Sequence, residues 1–80
     1  MTVFIELYGR LRDAGVASPV ELEVGSKATA AEALAALRKK LGSGGALLDG
    51  AALASETHVL AGAETLPEGR LAALPPVSGG

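Results

Sequence analysis

One stretch of this 80-residue chain has helical periodicity with both ends marked, and strand-like alternation lies on either side of it. Thr29 is followed three positions later by Glu32, a pairing in which each side chain can satisfy an orphan backbone N–H of the first turn. Ala33, Leu34, Leu37 and Leu41 then fall on one stripe at helical spacing. Arg38, Lys39 and Lys40 occupy the end where the macrodipole favours cations, and Gly42 supplies a stop. A chain this short has room for one core. The flanking strands must therefore share that core with this helix.

Residues 2 to 8 alternate, with Val3, Ile5 and Leu7 on one face and Thr2, Phe4, Glu6 and Tyr8 on the other. Gly9 ends this strand, Arg10-Leu11-Arg12-Asp13 forms a short turn, and Gly15 breaks the chain again. Pro19 to Val24 resumes alternation and predicts a second strand, hairpin-paired with the first. Beyond the helix, Ser43-Gly44-Gly45 predicts a flexible turn, and Asp49-Gly50 is a turn signal in an irregular stretch from Ala46 to Ala54 holding a short strand. Residues 56 to 60 alternate weakly, Pro67-Glu68-Gly69 marks a turn, and Arg70 to Leu74 is an apolar run of strand length. The order is β-β-α-β-β. A helical crossover favours parallel strands on either side of it, so the first and last strands should pair at the sheet centre. The β-grasp, or ubiquitin-like, arrangement satisfies this pattern: an α+β chain with a mixed sheet crossed by one main helix over residues 1–74, and an extended tail over 75–80.

Composition narrows the functions open to such a domain. The share of hydrophobic residues is 49% and of charged residues 20%, which suits a globular chain rather than a disordered one. Phe4 and Tyr8 are the only aromatics, so the core is thin and built from Leu, Val, Ile and Ala. Net charge is −2 and the basic residues are scattered apart from Arg38-Lys39-Lys40, which argues against nucleic-acid binding. The absence of cysteine removes disulfides, thiolate metal sites and a cysteine nucleophile, and fits a cytoplasmic setting. The N-terminus runs straight into a strand pattern, so neither an export nor a membrane segment is expected.

Past Leu74 come Pro75-Pro76-Val77-Ser78-Gly79-Gly80. Two prolines cannot donate to a sheet ladder and bias the backbone to an extended form, so the sheet stops and a tail emerges. Gly79 and Gly80 carry no side chains, and such a tip can thread a narrow channel with only backbone and a carboxylate at its end. An otherwise inert domain ending this way suggests chemistry performed on the carboxylate by other proteins.

The order of elements and the Leu-Pro-Pro-Val-Ser-Gly-Gly ending resemble the MoaD family, the small sulfur-carrier subunit of molybdopterin synthase, across essentially the whole chain. Tyr8-Gly9-Arg10-Leu11-Arg12 looks like the end of that family's first strand and its following turn, and Thr65-Leu66 through Leu74 resembles the approach to its last strand. Pro67-Glu68-Gly69-Arg70 departs from the usual Gly-Asp-Glu character of the turn before that strand, and Ala72-Ala73 is smaller than common. The resemblance implies that an ATP-dependent activating enzyme of the ubiquitin-activating type adenylates the Gly80 carboxylate, and that a sulfur donor protein converts the acyl adenylate to a thiocarboxylate. The loaded tail would then enter the large synthase subunit and give its sulfur to cyclic pyranopterin monophosphate, two loaded carriers serving each pterin. It further implies a heterotetramer of two small and two large subunits, with the catalytic side chains on the large one. The chain itself would bind no cofactor and would not be an enzyme alone.

Phe4 should sit on the sheet face opposite the helix and contact a partner there; the alternative is coverage by Leu71 or by a loop. Leu74 lies where the tail would enter a partner, or else caps the core edge. His58, the only histidine, has no ligand set at metal spacing and reads as a plain strand residue, so no metal is expected. Arg38-Lys39-Lys40 reads as helix-end design, and Glu6, Glu21 and Glu23 as solvated strand carboxylates rather than an acid–base set. Other functions use the same terminus: sulfur supply for thiamin, cysteine or transfer-RNA thiolation, or conjugation of Gly80 to protein lysines. An inert tail on a plain interaction module is the reading from a different class.

Overall fold

The computed structural model describes residues 1–75, and the expectations for Pro76, Val77, Ser78, Gly79 and Gly80 lie outside those residues. Helix α1 spans Ala30–Leu41 and starts as the Thr29/Glu32 pair predicts. The Thr29 hydroxyl accepts from the Glu32 N–H at 3.3 Å, and the Glu32 carboxylate accepts from the Thr29 N–H at 2.9 Å. The next two orphan donors are met from elsewhere in the chain: the Ala30 N–H donates to the Glu64 carbonyl at 2.9 Å and the Ala31 N–H to the Gly62 carbonyl at 3.0 Å. All four free N–H groups of the helix start are thus satisfied, two by local sequence and two by a loop some thirty residues on. Thr29→Ala is expected to cost about 1 kcal/mol in urea unfolding, because it removes the hydroxyl that serves Glu32. An unchanged midpoint would mean that the loop carbonyls alone hold the helix start.

Four strands form one mixed sheet in the order β2-β1-β4-β3: β1 (Thr2–Leu7), β2 (Val20–Glu23), β3 (Ala52–Ala54) and β4 (Arg70–Leu74). β1 pairs antiparallel with β2 and parallel with β4 at the sheet centre, and β3 pairs antiparallel with β4. This is the β-grasp arrangement expected from the element order. Val3, Ile5 and Leu7 are buried against the helix side, joined there by Val20 and Leu22 of β2, Leu53 of β3 and Leu71 and Ala73 of β4. The helix contributes Ala30, Ala33, Leu37 and Leu41; Leu34, expected on the same stripe, is only half-buried at its edge. Among the described residues no helix is long and apolar enough to cross a membrane.

Three local readings change. Ser43-Gly44-Gly45 is not a flexible turn but part of a 3-10 helix, Gly42–Leu48, continuing from α1. A Cβ at Gly44 would stand 2.6 Å from the Ala14 carbonyl oxygen and one at Gly45 2.7 Å from that of Arg38, so these glycines permit backbone contact rather than looseness. Residues 56–60 make no strand, only an isolated bridge between Ala54 and Val59. The Ser55 hydroxyl oxygen accepts from the Thr57 and His58 N–H groups at 3.2 and 3.3 Å, turning the backbone away from a ladder. His58 accordingly stands in a turn, not in a strand. Its Nδ1 is 2.8 Å from the Thr57 hydroxyl and its Nε2 2.5 Å from the Glu64 carboxylate. That contact, with the Ala61 N–H, holds the Glu64 carboxyl below its usual range.

Candidate functional site

β4 is short because Pro75 follows it, and it is central because β1 accepts it in parallel through the register Phe4↔Arg70, Ile5↔Leu71, Glu6↔Ala72 and Leu7↔Ala73. β4 therefore ends in the middle of the sheet, at the end where β1 passes into the turn that carries Arg10 and Arg12. The Tyr8 N–H donates to the Ala73 carbonyl at 3.2 Å, which extends the β1–β4 ladder one step past β1. Gly9 then takes φ +57°, and a Cβ there would meet the Pro75 ring at 3.0 Å. Pro75 is thus seated on the backbone of Gly9, and the root of the tail has a defined position. Leu74 is half-buried, between the two roles expected for it.

A 3-10 segment, Gly9–Ala14, follows at once and ends at Gly15, which adopts the left-handed conformation at φ 86°. Leu11 is fully buried and anchors it, while Arg10, Arg12 and Asp13 are exposed. Two exposed arginines thus follow directly on Gly9, the residue against which Pro75 packs.

The described residues leave the sheet face away from α1 open. Phe4 is 43% exposed and so is Tyr8, as their phase in β1 predicts. The alternative that Leu71 covers Phe4 does not hold, since Leu71 is 1% exposed on the opposite, core face. Half-buried Ala72, Leu74, Ala52 and Ala54 continue this surface across β4 and β3. A shallow cleft of about 320 Å³ runs over it, lined among others by Glu6, Tyr8, Ala54, Arg70 and Ala72. Glu6 is committed within the cleft: the Tyr8 hydroxyl donates to it at 2.9 Å and the Arg70 guanidinium at 3.2 Å. The hydrogen bond to Glu6, and then the negative charge of that carboxylate, raise the Tyr8 phenol above its ordinary value, with Arg12 and Arg70 pulling the other way. Glu6 is therefore a positioning group in a surface network. Glu21 and Glu23 are exposed on β2, as solvated strand carboxylates should be.

The cationic helix end divides among three tasks. Arg38 pairs with Asp49, Lys40 donates to the Glu21 carbonyl at 2.7 Å on the outer edge of β2, and Lys39 is exposed. Among the described residues no three His, Cys, Asp or Glu side chains converge to hold a metal ion. Two features of this site were not singled out from sequence alone. Arg70 lies across from Phe4 only because β4 is parallel to β1, and the Arg10/Arg12 pair acquires its place only through the seat of Pro75 on Gly9. The alternation of β1 signalled Tyr8; nothing local signalled the other three.

No protein-family model matches the chain, and neither does any curated protein. Solved structures do. The chain is similar to SAMP1 from Haloferax volcanii, with 31% identity over 100% of both chains and a TM-score of 0.72. A second structure, of H. volcanii small archaeal modifier protein 1, is 29% identical over 95% of this chain and 98% of that one, with a TM-score of 0.71. A ubiquitin from Caldiarchaeum subterraneum is 26% identical over 100% and 98%, with a TM-score of 0.61.

Proposed function

We infer that this chain, which belongs to the ubiquitin-like family of small modifier and sulfur-carrier proteins, works through an activated carboxyl group at Gly80 and carries sulfur there as a thiocarboxylate. The observation that supports this most is the end-to-end likeness to SAMP1 at 31% identity. The tail root on the central strand agrees with it, because a rigid domain presenting a slim terminus suits chemistry carried out inside another protein.

A carboxylate is a poor electrophile, since resonance spreads its charge and oxide is a poor leaving group. ATP-dependent adenylation by an activating enzyme releases pyrophosphate and leaves an acyl adenylate. Sulfur at the sulfide level, supplied by a donor protein, attacks the acyl carbon and AMP departs with the C–O bond. In this scheme the domain is the part that is gripped and the catalytic groups belong to the partners.

The finer assignment is to the small subunit of molybdopterin synthase in molybdenum cofactor biosynthesis. It rests on the Leu74-Pro75-Pro76-Val77-Ser78-Gly79-Gly80 ending. Phe4, Leu74 and the residues after it would contact the large subunit, which would carry out sulfur transfer to the pterin in a heterotetramer. A second reading has its own support, because the similar proteins are named as a modifier and a ubiquitin. There a lysine amine, in place of sulfur, takes the acyl group and forms an isopeptide bond.

The test is the intact mass of the chain purified from cells holding its native activating system. Replacement of one carboxyl oxygen of Gly80 by sulfur is the expected result. A covalent adduct through Gly80 to a protein lysine selects the modifier reading. A terminus still unmodified after incubation with ATP, sulfur donor and activating enzyme overturns both.

A further inference from the structure

The chain carries a net charge of −2, yet the segment that follows Gly9 holds two arginines against one acidic residue. Arg10 and Arg12 stand exposed on either side of buried Leu11, and Gly9, the residue before them, is the seat of Pro75. Among the described residues neither arginine takes part in an ion pair, whereas Arg38 and Arg70 are paired with Asp49 and Glu6. Asp13 is the one acidic side chain on the same segment. An exposed arginine with no ion-pair partner among the described residues, on a segment against which Pro75 packs, can serve a partner.

We propose that Arg10 and Arg12 form a cationic docking point for carboxylate side chains bordering the channel of the protein that receives the tail. This rests on the carrier reading above and specifies its partner's chemistry. Carboxylates fit better than phosphates here. Each exposed guanidinium fork can hold a carboxylate in a bidentate pair, and Asp13 on the same segment opposes a doubly charged phosphate more than a singly charged carboxylate. The bare face beside it, with Phe4, Tyr8, Ala72 and Leu74, gives the apolar contact, while the arginines give direction. Charge pairing at the rim of an interface acts mainly on the rate of encounter and on orientation. A partner that must thread a narrow tail gains most from meeting its root the right way round.

Two measurements decide it. The isotopically labelled chain is titrated with a hexaglutamate peptide at low ionic strength and followed by NMR. Shifts centred on the backbone of residues 10–13 and on the two guanidinium Nε–H groups are expected, reversed by salt and weakened about tenfold in Arg10→Ala/Arg12→Ala. Shifts confined to Lys27 and Lys39, or none, overturn the proposal. In the second, the same double variant is assayed with the activating enzyme of the source cells. Its kcat/KM for adenylation should fall about tenfold at low salt with kcat unchanged, and the difference should vanish near 1 M salt, where the screening length is only about 3 Å. An unchanged kcat/KM overturns the docking role even if the peptide binds. If the wild-type chain is never adenylated, the carrier reading fails while the peptide titration still decides the carboxylate site. Circular dichroism of the variant and a Lys39→Ala control separate local charge loss from unfolding and from loss of net charge.

Discussion

Removing Gly80 is expected to abolish thiocarboxylate formation while leaving the thermal unfolding of the domain unchanged. The deletion moves the carboxyl back by one residue, roughly 3.3 to 3.6 Å along an extended chain. Misplacement of a reacting group by as little as about 1 Å can cost about a hundredfold in rate, so a whole residue puts the carboxyl out of reach of the adenylating centre. The domain should not register the change, because the last buried core residue among the described residues is Ala73. Mass spectrometry of the terminus after activation and a melting curve of the same sample check both halves. Sulfur loading that survives the deletion would remove Gly80 from the mechanism. A melting point lowered by several degrees would show that the tail is part of the fold.

Ile5→Ala should be the most damaging single core substitution in β1. Ile5 is completely buried and sits between Val20 of β2 and Leu71 of β4 in the centre of the sheet. Ile-to-Ala changes in such places cost about 2 to 5 kcal/mol, from lost transfer energy and the cavity left behind. Small domains have little stability in hand, and several of the buried positions here are alanines, which bury little surface each. A fall in melting temperature of roughly 8 to 40 °C is expected, since 1 kcal/mol corresponds to about 4 to 8 °C in a domain of this size. Ile5→Val should cost only about 0.5 to 1.5 kcal/mol. Phe4→Ala, one residue away on the bare face, should change stability little and so provides the control. Equal losses at positions 4 and 5 would mean that the outer face is covered after all.

Periodicity was a reliable guide where a pattern reports burial on a single face. Alternation in residues 2 to 8 separated Val3, Ile5 and Leu7 from Phe4 and Tyr8, and burial divides them the same way. The Thr29/Glu32 pair located the helix start, because a capping box is satisfied by residues three positions apart and needs no distant partner. It failed where competing local bonds decide. The weak alternation of residues 56–60 lost to the Ser55 hydroxyl, which offers the backbone a turn in place of a ladder. The glycines at 44 and 45 read as looseness, since their reason is the close passage of Ala14 and Arg38, which are distant or hidden in sequence.

The parallel pairing of β1 and β4 was legible in outline from the order of elements, but its register was not. Only that register sets Arg70 opposite Phe4 and joins it to Glu6 and Tyr8 in one surface network. What the sequence determined by itself was local and periodic: the helix and its cap, the faces of β1, β2 and β4, the point where Pro75 ends the sheet, and a side-chain-free terminus. Those features depend on dihedral preferences, hydrogen bonds a few residues long and the two-residue or 3.6-residue repeat of apolar positions. The tertiary structure alone decided which carbonyls complete the helix start, how the helix-end cations divide, and that Pro75 packs against Gly9, next to the Arg10–Arg12 segment. Each of these brings together groups tens of residues apart, and their meeting depends on how the whole core packs rather than on any preference readable along the chain.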